Sequence, residues 1–178
     1  MRKLEWADAA AYRAFRLRGL EAHPDAFTSS VEEVRAEPPA ALEARLAAGA
    51  GTALWGAFVD GELAGAVGLN REQRRKSAHK ATLVAMFVAS EHAGRGLGSA
   101  LVDAALNEAR AAGIALVVLT VTDTNETARR LYQRAAFRDI GIEPDAVRVN
   151  GKAYGKRHMY LQLQPVAASP HSNPQEAP

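Results

Sequence analysis

Apolar positions change period several times along this chain, and each change marks an element. Residues 80–89, "KATLVAMFVA", and 114–122, "IALVVLTVT", are nearly continuous apolar runs, the pattern of strands buried on both faces. The second is also rich in β-branched residues. Between them Leu97, Leu101, Ala105 and Ala109 recur every fourth residue, which predicts a helix, with Gly113 as its C-cap. Upstream, "TALWGAFVD" and "ELAGAVGLN" read as strands joined at Asp60-Gly61, a hairpin signal. Before them come a short strand near residues 2–5 and a helix with Asp8 as N-cap, ended by Pro24. "SSVEEVRAEPPAALEARLAAGAG" reads as a second helical segment, broken at Pro38 and Pro39 and opened by a Ser30/Glu33 capping box. Beyond residue 122, a helix over about 125–135 sets Ala128, Leu131, Tyr132 and Ala135 on one stripe. "FRDIGI" and "RHMYLQL" close the pattern as strands, with an Asn150-Gly151 turn signal between them. Antiparallel hairpins thus surround one strand–helix–strand crossover, and the class is mixed α/β.

The last fourteen residues hold four of the eight prolines and almost nothing large and apolar. They cannot bury enough surface to offset chain entropy, so the expected organisation is one domain over 1–164 and a disordered tail over 165–178. Cysteine is absent, which removes disulfides, thiolate metal sites and cysteine nucleophiles, and no metal site is expected. An acid and a tryptophan stand where a signal peptide would carry its apolar region, and no stretch approaches the ~20 apolar residues of a membrane span. The expectation is a cytoplasmic protein without a membrane partner.

A net charge of +2 does not by itself imply nucleic acid. The sharpest basic run, "REQRRKSAHK", lacks the interleaved aromatics of a nucleic-acid patch and reads as a solvated loop. Counting ~8 residues at ~3.3 Å each, His79 at its end sits ~25 Å from the glycine-rich stretch described next.

"EHAGRGLGSALV", residues 91–102, places Gly94, Gly96 and Gly98 immediately before the crossover helix. A nucleotide triphosphatase loop would end in Gly-Lys-Ser/Thr; here Gly98 is followed by Ser99 and Ala100. A dinucleotide fold wants Gly-x-Gly-x-x-Gly; here the third glycine position is Ser99, although Asp123 does follow the next strand. The remaining design is a nest of backbone N–H groups at a helix start, from Gly94 through Ser99, suited to a pyrophosphate.

The order of buried strand, "GRGLGSAL", helix, buried strand and "NETARRLYQRAAF" resembles the GNAT superfamily of N-acetyltransferases. Gly96 and Gly98 match that family's Arg/Gln-x-x-Gly-x-Gly/Ala loop, and Asn125, Ala128, Leu131, Tyr132 and Phe137 match its second block. The likeness is close over about residues 80–140. It implies a GNAT-like fold: a central, mostly antiparallel sheet with one crossover and helices on both faces. It also implies acetyl-CoA as cosubstrate, its pyrophosphate on backbone amides of Gly94, Arg95, Gly96, Leu97, Gly98 and Ser99. The pantetheine arm would lie along the backbone of Phe87 and Val88. Two departures stand out. Ala93 replaces the usual Arg or Gln, a loss for which Arg95 is a candidate to compensate, and Ala136 replaces a glycine before Phe137.

The chemistry implied is direct attack of a substrate amine on the thioester, with Tyr132 giving a proton to the departing thiolate. At reference values a phenol near pKa ~10 and a thiolate near ~8.5 make that transfer uphill by ~2 kcal/mol, a gap that desolvation of the thiolate closes. Read from the residues alone, Tyr132 is a core tyrosine with a satisfied hydroxyl before it is an acid, and Asn125 is equally a helix N-cap or a coenzyme contact. A base is harder to find. An amine of pKa near ~10.4 is neutral about once in ~2,500 at pH 7, and residues 81–88 contain no ionisable group. Glu32 and Glu33 are candidates, as is a water relay. The acceptor's own contacts are expected from the first two helices and from the segment "EPDAVRVNGKAYGKR" between the last strands. A homodimer and a non-catalytic acyl-CoA-binding module both stay open.

Overall fold

In the computed structural model, which describes residues 1–47 and 51–163, the strands form one seven-stranded sheet in the order β1-β2-β3-β4-β5-β7-β6. The strands are β1 (Arg2–Lys3), β2 (Thr52–Val59), β3 (Glu62–Arg71), β4 (Lys80–Val88), β5 (Leu116–Thr122), β6 (Arg138–Val149) and β7 (Lys152–Gln162). The helices are α1 (Ala9–Ala22), α2 (Val31–Ala36), α3 (Pro39–Leu46), α4 (Leu97–Ala111) and α5 (Glu126–Arg134). Only β4 and β5, linked by the α4 crossover, pair in parallel; every other neighbouring pair is antiparallel. The expected tail from residue 165 and residues 48–50 of the second helical segment lie outside the described residues.

Two apolar clusters cover the two faces of the sheet. One joins α4 and α5 to Val67, Leu69, Leu83, Val117, Leu119 and Met159. The other joins α1 and α3 to Leu4, Leu54 and Ala66. Ala66 and Val67 fall in different clusters because successive strand residues point to opposite faces.

Both long crossover-side helices end in the same motif. After α4, the Ile114 amide donates to the Ala109 carbonyl (2.9 Å) and Gly113 to Arg110 (3.0 Å). After α5, Phe137 donates to Tyr132 (3.0 Å) and Ala136 to Gln133 (3.0 Å). This is the Schellman arrangement, which puts one residue in the left-handed region: Gly113 at φ +70° in the first case, Ala136 at φ +67° in the second.

Three expectations are corrected. Asp8 stands at the α1 N-cap without capping it, because its carboxylate binds the Arg2 guanidinium (2.7 Å) and the Glu5 amide (2.8 Å). "EPDAVRVNGKAYGKR" is mostly strand, since β6 and β7 pair on either side of the Asn150-Gly151 turn, with a bulge between Glu143 and Val147. Finally, β4 is fully buried at Ala81 and Leu83 but half-exposed from residue 84 to 88, for a reason that defines the site.

Candidate active site

Strands β4 and β5 pair at three positions only, Lys80 with Leu116, Ala81 with Val117 and Thr82 with Val118. Beyond them β5 continues beside β7 as far as Thr122, while β4 stays with β3. The parting coincides with a bulge: Ala66 pairs with Phe87 and Gly68 with Val84, so Ala85 and Met86 both face Val67. Ala85 has φ +53°, a costly conformation for a residue with a Cβ, of the kind that structures retain at functional sites. The outcome is a wedge whose β4 lip carries backbone groups without a partner on β5. Phe87 is anchored there by its side chain, which stacks on Phe15 at 5.0 Å between centroids. Gly19 of α1 allows that approach, since a Cβ there would come within 2.8 Å of the Phe87 ring. Val88 pairs with Gly65.

At the mouth of the wedge a 3-10 turn over Ser90–His92 leads into the glycine loop. Gly94 (φ +75°) and Gly96 (φ +79°) take left-handed backbone, and a Cβ at either would meet no atom within 4 Å. Their faces are open. Gly98 instead sits against Leu131 and Met86, 3.3 and 3.4 Å from its notional Cβ, so it sets how closely α4 approaches α5 and the bulge. Among the described residues no backbone carbonyl accepts from the amides of Gly94, Arg95, Gly96, Leu97, Gly98 or Ser99, while Ala100 already donates to Gly96. Unpartnered amides at the start of a fifteen-residue helix make an anion cradle. Arg95 donates within the loop to His92 Nδ1 (3.1 Å), and Ala93 is exposed.

Tyr132 projects from α5 into the crook where the strands part. Its ring is 4% exposed and meets Phe137 edge-on at 5.8 Å, a contact that follows from the Schellman turn bringing these two residues together. The hydroxyl makes no hydrogen bond among the described residues, and Tyr132 lines a cavity of about 380 Å³ that fills the wedge. Burial pushes the phenol well above its ordinary pKa, so the group stays protonated. Asn125 caps α5, its Oδ1 accepting from the Ala128 amide at 3.0 Å, and it lines the same cavity.

The rest of the cavity wall comes from α1 (Tyr12, Arg16), the segment after it (residues 26–29), Arg45 of α3, Thr52 and Leu54 of β2, Asn70 of β3, β4 and β5, Ala128 of α5 and Lys156 of β7. Lys156 is 3% exposed, and its Nζ donates to the carbonyls of Asp25 and Ala26 (3.0 Å each) and to Thr122 Oγ1 (2.8 Å). Thr122, its partner across β5 and β7, donates in turn to the Asp25 carbonyl at 2.7 Å. Burial lowers the Lys156 pKa, and the nearby Asp25 charge opposes that shift.

The model for the acetyltransferase (GNAT) family matches residues 16–137. The chain belongs to the GNAT acetyltransferase family. Mycothiol acetyltransferase of Clavibacter michiganensis subsp. michiganensis is 40% identical over 84 residues, which are 47% of this chain and 26% of that protein. The chain thus matches about a quarter of that curated relative's length. The GNAT-family acetyltransferase of Streptococcus pneumoniae superposes with a TM-score of 0.82 at 27% identity, over 91% of this chain and 98% of that one. The Salmonella typhimurium protein yncA, whose structure holds its cofactor acetyl-CoA, has the same fold, with a TM-score of 0.76 at 23% identity over 96% and 97% of the two chains.

Within this GNAT protein the structure gathers Tyr132 and Asn125 around one cavity. Phe87, Val88 and residues 94–99 do not line it; the glycine loop adjoins it through Gly98, which packs against the lining residue Met86. Neither Glu32 nor Glu33 lines the cavity; Ser30 and Glu33 close a reciprocal capping box at the start of α2 (2.7 and 3.1 Å). His79 is exposed, and its carbonyl accepts from Ala115 and Leu116. Of the segment between the last strands only Lys156 reaches the cavity. Sequence reasoning points to the segments that carry Lys156, Arg16 and Arg45 but does not single out these residues. A lysine inside "AYGKRHMY" carries no local sign of burial; Lys156 and Met159, three apart and so on opposite faces of β7, are the buried residues of a strand whose two covered faces appear only once its register against β5 is known. Among the described residues no cluster of His, Asp and Glu could hold a metal ion, and no helix is long and apolar enough to cross a membrane.

Proposed function

We propose that this protein transfers the acetyl group of acetyl-CoA to a primary amine, by direct attack and without a covalent enzyme intermediate. The observation that carries the reading is the conjunction of an unpaired β4 lip, free amides from residue 94 to 99, and an unbonded Tyr132 hydroxyl along one wedge. In this reading Gly94, Arg95, Gly96, Leu97, Gly98 and Ser99 hold the pyrophosphate through their amides. The backbone of Phe87 and Val88 receives the pantetheine arm, and Asn125 lends its amide nitrogen. The neutral amine forms the new C–N bond as the C–S bond breaks. Tyr132 protonates the leaving sulfur, and the one proton shed by the nitrogen of the new amide passes through water to the resulting phenolate and restores the phenol. Family membership and the acetyl-CoA held by yncA support the cosubstrate.

Among the described residues no carboxylate lines the cavity to act as base, which favours as second reading a module that binds acyl-CoA without chemistry. Calorimetry with acetyl-CoA, run beside thiol release across a panel of amines, separates the two. Micromolar binding together with release for at least one amine is expected. Binding with no release for any acceptor would leave the module, and no binding would remove both.

A further inference from the structure

The walls of the 380 Å³ cavity are chemically one-sided. Three cationic side chains line it, Arg16, Arg45 and Lys156, and no Asp or Glu does. Their positions differ in what remains available. Lys156 uses three donors on the Asp25 and Ala26 carbonyls and on Thr122, so it adds charge but has no proton to spare. Arg45 pairs with Glu37 at 3.1 Å, outside the cavity wall. Arg16 lies over the Phe27 ring at 5.3 Å and donates to Ser29 Oγ at 3.4 Å. Among the described residues it has no carboxylate partner. A guanidinium carries five N–H donors in a planar fork; that of Arg16 serves Ser29 Oγ and the Tyr12 hydroxyl, which leaves donors over. Thr28 and Ser29 add hydroxyls to the same wall. Burial raises the Tyr12 phenol, the charges of Arg16 and Arg45 oppose that shift and the charge of Glu37 adds to it, so both guanidinium groups and the Glu37 carboxylate act near the same point.

Two carboxylates stand behind this wall, Glu37 on Arg45 and Asp25 near Lys156, so an ammonium entering alone meets three cations offset by two charges set farther back. An acceptor that also carries an anion would be drawn in. We infer that the acceptor is a small amine bearing a carboxylate, held by Arg16 with Arg45 behind it while its amino group faces the wedge. The inference rests on the acetyltransferase reading above and names the substrate class for it. It also addresses the missing base. With its carboxylate neutralised on Arg16, the acceptor's ammonium sits among the remaining positive charges, which favour its neutral, nucleophilic form. Charge-assisted hydrogen bonds of this kind are the strong ones, and guanidinium matches carboxylate geometry.

The test compares α-amino acids of several sizes with the amines left when the carboxylate is removed and with their carboxamides. It measures kcat/KM by thiol release and acceptor affinity by calorimetry on the CoA-loaded protein. Amino acids should lead their decarboxylated and carboxamide counterparts by about tenfold to a hundredfold. Arg16→Gln should erase most of that lead through KM, Arg16→Lys should restore part of it, and Arg45→Gln should reduce it with less disturbance of packing. The Kd for acetyl-CoA should stay within about twofold in all three. Turnover or binding that ignores the carboxylate overturns this inference and leaves the acetyltransferase standing. A wild-type protein that fails to bind acetyl-CoA overturns that reading and this one together.

Discussion

The Tyr132 hydroxyl ends a side chain whose ring meets Phe137 edge-on, while among the described residues the oxygen makes no hydrogen bond. Removing the oxygen therefore leaves packing intact. Tyr132→Phe should lower kcat by about a hundredfold or more, the range for a general acid, with the acetyl-CoA Kd and the melting temperature nearly unchanged. Steady-state kinetics beside calorimetry decide it; an unaltered kcat would assign the proton elsewhere. Residues in contiguous motifs, such as Gly96, Gly98, Asn125 and Tyr132, were legible in the sequence because their roles depend on spacing within a turn or helix. Arg16, Arg45 and Lys156 were not, since α1, α3 and β7 bring them together across 29 to 140 positions of chain.

At the scale of an element, the end of α5 decides how Tyr132 is aimed. Its Schellman turn repeats that of α4 bond for bond, but with Ala136 where α4 has Gly113. An L-residue in this left-handed position costs roughly 1–2 kcal/mol, part of which glycine returns as chain entropy. Ala136→Gly should thus stabilise the protein by about 1 kcal/mol, seen as a melting temperature higher by about 2–4 °C, at unchanged kcat. A lower melting temperature would mean that the alanine methyl packs usefully. Helix α4 and β5 were readable from periodicity and from their caps. The bulge at Ala85 was not, because nothing in "TLVAMFV" marks which residue will lie outside the ladder; only pairing with β3 selects it. The long β6–β7 hairpin was likewise hidden by Pro144 and Asp145, which occupy its bulge.

Across the whole molecule, Lys156 ties three parts that local sequence keeps separate: β7, β5 through Thr122, and the turn over Pro24–Ala26 that leads into the cavity wall. Lys156→Met strands the Ala26 carbonyl, while Thr122 Oγ1 still donates to Asp25, at a cost of about 1–3 kcal/mol. The melting temperature should fall by about 2–4 °C for each kcal/mol lost, and hydrogen exchange should quicken at Phe27, Thr28 and Ser29. Exchange that stays as in the wild type would show the turn to be held by other contacts. Strand order was inferable for the hairpins and the crossover, yet the seating of β7 between β5 and β6 depends on non-local pairing alone. The early parting of β4 and β5 has one further consequence. An ordinary open sheet has two free margins, both facing solvent, whereas this one acquires an interior pair, walled by Asn125, Tyr132 and the Phe27 segment. Unpaired margins invite chain-to-chain association wherever another sheet can reach them. Recessed in this way, they are offered only to a single slender, amide-bearing molecule, so the molecule is receptive to a ligand without becoming adhesive to its own kind.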